Sequence, residues 1–168
     1  SVLNSAAYYC GLIAGMKVGQ TMTMKTVPYV TAVSPELSFE TGGAGKALLE
    51  AGITTVRCAN RNAGRYIVVN SEQPNGLDLY VNRVRDYVVK QLSLHQFLGE
   101  RNNEATLSMI KFEVERVKKE CVTSLNLLKD IEYTVEKKDA TTVDIHVQKL
   151  LFDGLITEID VYITVEVE

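Results

Sequence analysis

The apolar residues of this chain change period near residue 129, and that change most constrains the fold. Before it, Val81, Val84, Val88 and Leu92 step by three and four, with Tyr80, Tyr87 and Leu94 widening the same face. After Gly99 and the pair Asn102-Asn103, the residues Leu107, Ile110, Val114, Val117, Cys121, Leu125 and Leu128 repeat the pattern. Such steps place side chains on one face of a helix, which predicts long helices over about Asp78–Leu98 and, capped by Asn102 or Asn103, on to about Leu128. Beyond them, Ile131, Tyr133 and Val135 alternate with Glu132, Thr134 and Glu136. Val143, Ile145 and Val147 then alternate with Asp144, His146 and Gln148. Alternation is the period of a half-buried strand, and Lys138-Asp139 is the expected turn. A last run, Ile156, Ile159, Val161, Ile163, Val165 and Val167, reaches the end of the chain.

The first half is less regular. Asn4 or Ser5 can cap a helix through Met16 that is apolar on most faces and rich in small residues, so a buried helix is expected. A Thr-rich stretch with Pro28 and Pro35 follows, with extended pieces such as Val27–Val33. A short helix over Gly45–Ala51 should end at Gly52. Ile53–Ala59 and Arg65–Asn70 read as a hairpin around a polar turn containing Gly64, and Pro74-Asn75-Gly76 is the clearest break. The order predicts an α+β fold. A small mixed sheet should pack with two long helices and a buried N-terminal helix, and the chain should end in a long strand.

Composition removes several classes. With 46% hydrophobic and 23% charged residues over 168 positions, the chain has globular usage and enough length for a core. A net charge of −3 gives no support for nucleic-acid binding. The longest nearly uncharged apolar stretch, Ala6–Met16, is shorter than the roughly 20 residues that span a bilayer. Cys10, Cys58 and Cys121 are odd in number and widely spaced, so they are expected to be reduced and mostly buried, as in a protein made in the cytosol. An apolar helix beginning almost at Ser1 reads as a cut inside a longer chain.

Little in the sequence promises chemistry. Thr41-Gly42-Gly43-Ala44-Gly45-Lys46-Ala47 approaches a phosphate loop, but Glu40 stands at its first glycine and Ala47 lacks the hydroxyl that holds magnesium. His95 falls near the apolar face of the first long helix and His146 on the polar side of a strand, neither with ligands at metal spacing. No cofactor, no metal and no catalytic residue is expected. The last run is more telling. From Ile156 to Val167 it makes a strand of about 12 residues, against a usual five or six. One side is β-branched and the other carries Glu158, Asp160 and Glu166. Such a strand either folds back into its own sheet or adds to the sheet of another subunit, because an unpaired edge invites aggregation.

Several segments, in this order, resemble the C-terminal conserved region of contractile tail sheath proteins of phages and phage-tail-like particles. Ala6–Met16 (AAYYCGLIAGM) resembles the small-residue helix of that family, and Gln20–Thr23 (QTMT) its Ser/Thr-rich segment. Ile53–Arg57 (ITTVR) with Arg65–Asn70 (RYIVVN) is similar to its hairpin, Asn82–Val88 (NRVRDYV) to the start of its long helix, and Phe97–Asn103 (FLGERNN) to the turn that closes it. Gly154–Val165 (GLITEIDVYITV) resembles its terminal strand.

The resemblance implies that residues 1–168 are the C-terminal core domain of a longer sheath subunit, with 156–168 as a strand arm. It implies a non-enzymatic virion structural protein, assembled in the bacterial cytoplasm into a helical homo-oligomer. Its partners would be the inner tail tube, the baseplate and the tail terminator, with neither nucleic acid nor membrane. Strand exchange falls on Ile156, Ile159, Val161, Ile163, Val165 and Val167. A helix of this region should face the tube. The one with Lys111, Arg116, Lys118 and Lys119 is the candidate, and the one with Arg83 and Arg85 the rival. Another tail or baseplate module, or a small cytosolic nucleotide-binding enzyme, is the alternative reading.

Overall fold

The computed structural model describes residues 2–28, 30, 32–33, 38, 42–60, 64–71 and 76–154. Its chain divides into two compact units, residues 1–100 and 101–168. The α+β class expected from the pattern holds. Among the described residues the strands form two separate antiparallel pairs, one in each unit, in place of one mixed sheet. No helix among the described residues is long and apolar enough to cross a membrane.

In the first unit, helix α1 (Val2–Gly15) lays Tyr8, Tyr9, Leu12, Ile13 and Met16 against a core of Met22, Val27 and Val68. Ala6, Ala7, Cys10, Gly11, Ala14 and Gly15 stay exposed, so the helix buries one face rather than most. The reason is spacing: the described large side chains fall at steps of one, three and four, and only their stripe needs cover. Helix α2 (Ala44–Glu50) ends as expected at Gly52, whose φ of 71° suits glycine. Strands β1 (Val56–Asn60) and β2 (Arg65–Val68) form the expected hairpin, pairing Val56 with Val68 and Cys58 with Tyr66 before a bulge. The other edge of β2 is taken by residues 24–27. Met24 N–H donates to the Val68 carbonyl (2.8 Å) and Val27 N–H to that of Tyr66 (2.9 Å).

Helix α3 (Leu79–Gln91) buries Tyr80, Val84 and Val88. It stops short of the expected Leu98. Ser93 turns its hydroxyl back onto the Val89 carbonyl (2.9 Å), competing with the helix, and a single 3₁₀ turn over His95–Phe97 follows. His95 is therefore exposed on that turn and not on a long helix.

In the second unit, Asn103 caps helix α4 (Glu104–Lys119) by accepting from the Thr106 N–H at 3.0 Å. Thr106, Leu107, Ile110, Val114 and Val117 are its buried stripe. A π turn over Glu120–Ser124 continues it, with Leu125 N–H donating to the Glu120 carbonyl. The wider turn shifts the phase of the residues after it. Leu125, expected in the stripe, is 46% exposed, while Cys121 and Leu128 are buried.

Strands β3 (Asp130–Lys137) and β4 (Val143–Leu151) pair antiparallel from Asp130–Leu151 to Lys137–Val143, with an irregularity at Glu132/Tyr133. Asp139 shapes the turn between them. Its Oδ1 accepts from the Thr141 and Thr142 N–H groups, both at 2.7 Å. Those bonds, Thr141 first, hold the Asp139 carboxyl below its ordinary range. The cysteines are all free, but only Cys121 is buried. Cys58 is half-buried and Cys10 exposed, because Cys10 lies on the small-residue side of α1.

Candidate functional site

Helix α4 presents a flank and an outward face, and the four cations expected to act together are divided between them. Lys118 turns toward the hairpin. Its Nζ lies 2.8 Å from Asp130 Oδ1 and 6.0 Å from the centre of the Tyr133 ring. The hydrogen bond and the opposite charge lift the Lys118 pKa and depress that of Asp130, again chiefly through their bond. Lys111 is exposed a little less than two turns N-terminal to it, on the same flank. Arg116 bonds Glu113 (2.8 Å) and Glu120 (3.3 Å), an exposed i,i+3 and i,i+4 pair of small energetic weight. Lys119 is exposed and makes no ion pair among the described residues. The outward face, opposite the buried stripe, holds Arg116 and Lys119 together with Ala105, Ser108, Met109 and Phe112. Sequence reasoning missed Met109 and Phe112. Both lie off the apolar stripe, and that is the signal that could have found them.

Tyr133 reports on the flank. It donates to Glu115 Oε2 at 2.5 Å. Burial first, then the Glu115 carboxylate, push its phenol up to about 12. An unfolded phenol ionises near pH 10, so the folded state keeps its proton longer. The second unit should lose stability as pH rises from about 10 to about 12. Alkaline absorbance titration should show late ionisation of Tyr133, beside that of Tyr9, whose phenol burial also raises, and Glu115→Gln should move the Tyr133 step to lower pH.

The rival helix α3 is differently engaged. Arg83 donates to the Met16 carbonyl at 2.9 Å, closing the end of α1, and Arg85 pairs with Asp86 at 2.8 Å on the surface. His146 stands on the polar side of β4 as expected, with Nε2 3.6 Å from Asp144 and 3.8 Å from Glu136. Among the described residues no group of three or more His, Cys, Asp or Glu is placed to hold a metal ion. The residues expected to exchange, Ile156, Ile159, Val161, Ile163, Val165 and Val167, lie outside the described residues.

The glycine loop before α2 does not form a phosphate cradle. Gly45 N–H, which would point at a phosphate, donates to the Ser38 carbonyl at 2.8 Å. Gly43 lies so close to Ser38 that a Cβ there would collide with its backbone. These glycines permit a close chain crossing.

Among the described residues, the most connected carboxylate is one that the sequence did not single out. Asp78 caps α3, its Oδ1 accepting from Tyr80 N–H at 2.9 Å. Its Oδ2 accepts from three hydroxyls: Ser71 (2.8 Å), Thr21 (2.9 Å) and Thr23 (3.2 Å). Ser71 N–H also donates to the Thr23 hydroxyl. One carboxylate thus ties the segment after α1, the end of the β1–β2 hairpin and the start of α3.

No protein family model, curated protein or solved structure matches the chain.

Proposed function

We propose that this chain is the C-terminal part of a contractile tail sheath subunit. It polymerises with its copies around an inner tube and shortens to drive that tube through a cell envelope. The reading is structural and non-enzymatic, with the inner tube, baseplate and terminator as partners, in a virion tail or phage-tail-like particle.

One observation carries it beyond the sequence resemblance. The β3–β4 pair takes no third strand among the described residues. The chain then continues into residues 155–168, where from Ile159 onward β-branched residues alternate with Asp160, Tyr162, Thr164 and Glu166. A strand pair followed in the chain by a long alternating segment suits strand addition between subunits, in which main-chain bonds hold neighbours together. On this reading the helix with Lys111, Arg116, Lys118 and Lys119 is turned to the tube through the flank that carries Lys111 and Lys118. Contacts there must break and re-form, which weak exposed charges allow. The energy of contraction comes from subunit interfaces.

Electron microscopy of the purified full-length protein should show tubular polymers. Deleting Ile159–Glu168 should leave helical circular dichroism largely intact and abolish the tubes. A monodisperse monomer at high concentration would overturn the reading.

A further inference from the structure

We infer that α4 is also a self-pairing helix: two copies of this chain pack antiparallel through its outward face, each Phe112 seated in the hole formed by Ala105, Ser108, Met109 and Phe112 of the other. The inference does not rest on the proposed function.

Phe112 is 70% exposed and Met109 50% exposed, although both belong to a helix whose opposite side is fully packed. Large apolar side chains at the centre of a helix face call for a cover. Positions 105, 108, 109 and 112 stand at i, i+3, i+4 and i+7. Those are the four corners of the hole that receives a knob from a facing helix. Ala105 and Ser108 make the hole deep enough for a ring. Ser108 asks nothing of the incoming side chain, since its hydroxyl already donates to the Glu104 carbonyl at 2.8 Å. Met109 adds a thioether at the ring.

The charges select the second copy and its direction. Glu104 is the acidic residue of the first turn, and Arg116, Lys118 and Lys119 are the basic residues of the last. An antiparallel pair about a two-fold axis brings each Glu104 toward the Lys119 end of the other copy. It also sets the two helix dipoles antiparallel, each positive end beside the negative end of the other. A parallel pair would put Lys119 against Lys119 and Glu104 against Glu104. A single helix pair buries less than the roughly 1,200 Å² of a standard interface, so the dimer is weak and forms with rising concentration.

Sedimentation equilibrium of the 168-residue chain tests this. The wild type should show a concentration-dependent dimer. Phe112→Asp should raise its Kd about tenfold or more with unchanged thermal unfolding, since Phe112 is a surface residue. Lys119→Glu and Glu104→Lys should each weaken the dimer, and the two together in one chain should restore it, which nonspecific stickiness would not do. Deleting residues 155–168 should leave the dimer unchanged. A wild type monomeric to about 1 mM, a Phe112→Asp variant that dimerises normally, or a double charge variant no better than the singles would each overturn the pairing. So would loss of the dimer on deleting 155–168, which would assign the face to that segment.

Discussion

Asp78→Ala should lower the unfolding free energy of the first unit by about 3–5 kcal/mol, most of what a small domain has. The loss has separate sources. The cap on Tyr80 N–H contributes about 1 kcal/mol. Three hydroxyl donors then lose a charged acceptor, each bond being worth about 1.5–3 kcal/mol when intact. Thr21 and Thr23 recover part of this, because each lies 3.1 Å from the Ser71 hydroxyl and can bond it instead. Ser71 is fully buried and cannot turn to bulk water. Asp78→Asn keeps an acceptor oxygen and should fall between wild type and alanine. Urea unfolding followed by circular dichroism checks the order. A loss below about 1 kcal/mol would mean that the hydroxyls satisfy one another without the carboxylate.

Val117→Asp should unfold residues 101–154 and leave the core of residues 1–100 folded. Val117 and Cys121 are fully buried, and Val114 nearly so, one beside the next along α4 and its π turn. Burying an unpaired carboxylate there costs several kcal/mol, beyond what a unit of this size withstands. The first unit has its own core of Met22, Val27 and Val68, so its amides should keep their protection in hydrogen exchange. Collapse of protection across both units would show that they fold as one.

Much of this architecture is legible because burial imposes a period. The stripe Leu107, Ile110, Val114, Val117 and the alternation of Ile131, Tyr133, Val135 gave the right element types. They failed where local bonds override the period. Ser93 ends α3 through its own hydroxyl, which apolar spacing does not show. The π turn shifts Leu125 out of a stripe that its position, four after Cys121, predicts it should join. The single mixed sheet divided into two pairs, because alternation identifies strands without naming their neighbours. The expected cationic set shared a helix but not a direction. Lys118 is drawn to Asp130, a residue that only the fold places beside it. Asp78 stayed unnoticed for the same reason, since Thr21 and Thr23 are distant from it in sequence and, like the nearer Ser71, look like ordinary loop residues.

The geometry of β3 and β4 also sets how the second unit would bear a load. The chain enters β3 at Asp130 and leaves β4 at Leu151, directly opposite each other. Tension drawn out through residue 155 against α4 therefore pulls these two ends apart and peels the hairpin from its open end. The main-chain bonds fail one after another, beginning with Lys129 N–H to the Leu151 carbonyl (2.8 Å). Strands pulled along their length must break their bonds together, so peeling is the compliant direction. The Lys118–Asp130 bridge pins β3 to α4 at that end, leaving β4 as the strand that yields. A neighbour holding residues 155–168 would be joined to α4 through a tether that lengthens progressively under force before it lets go.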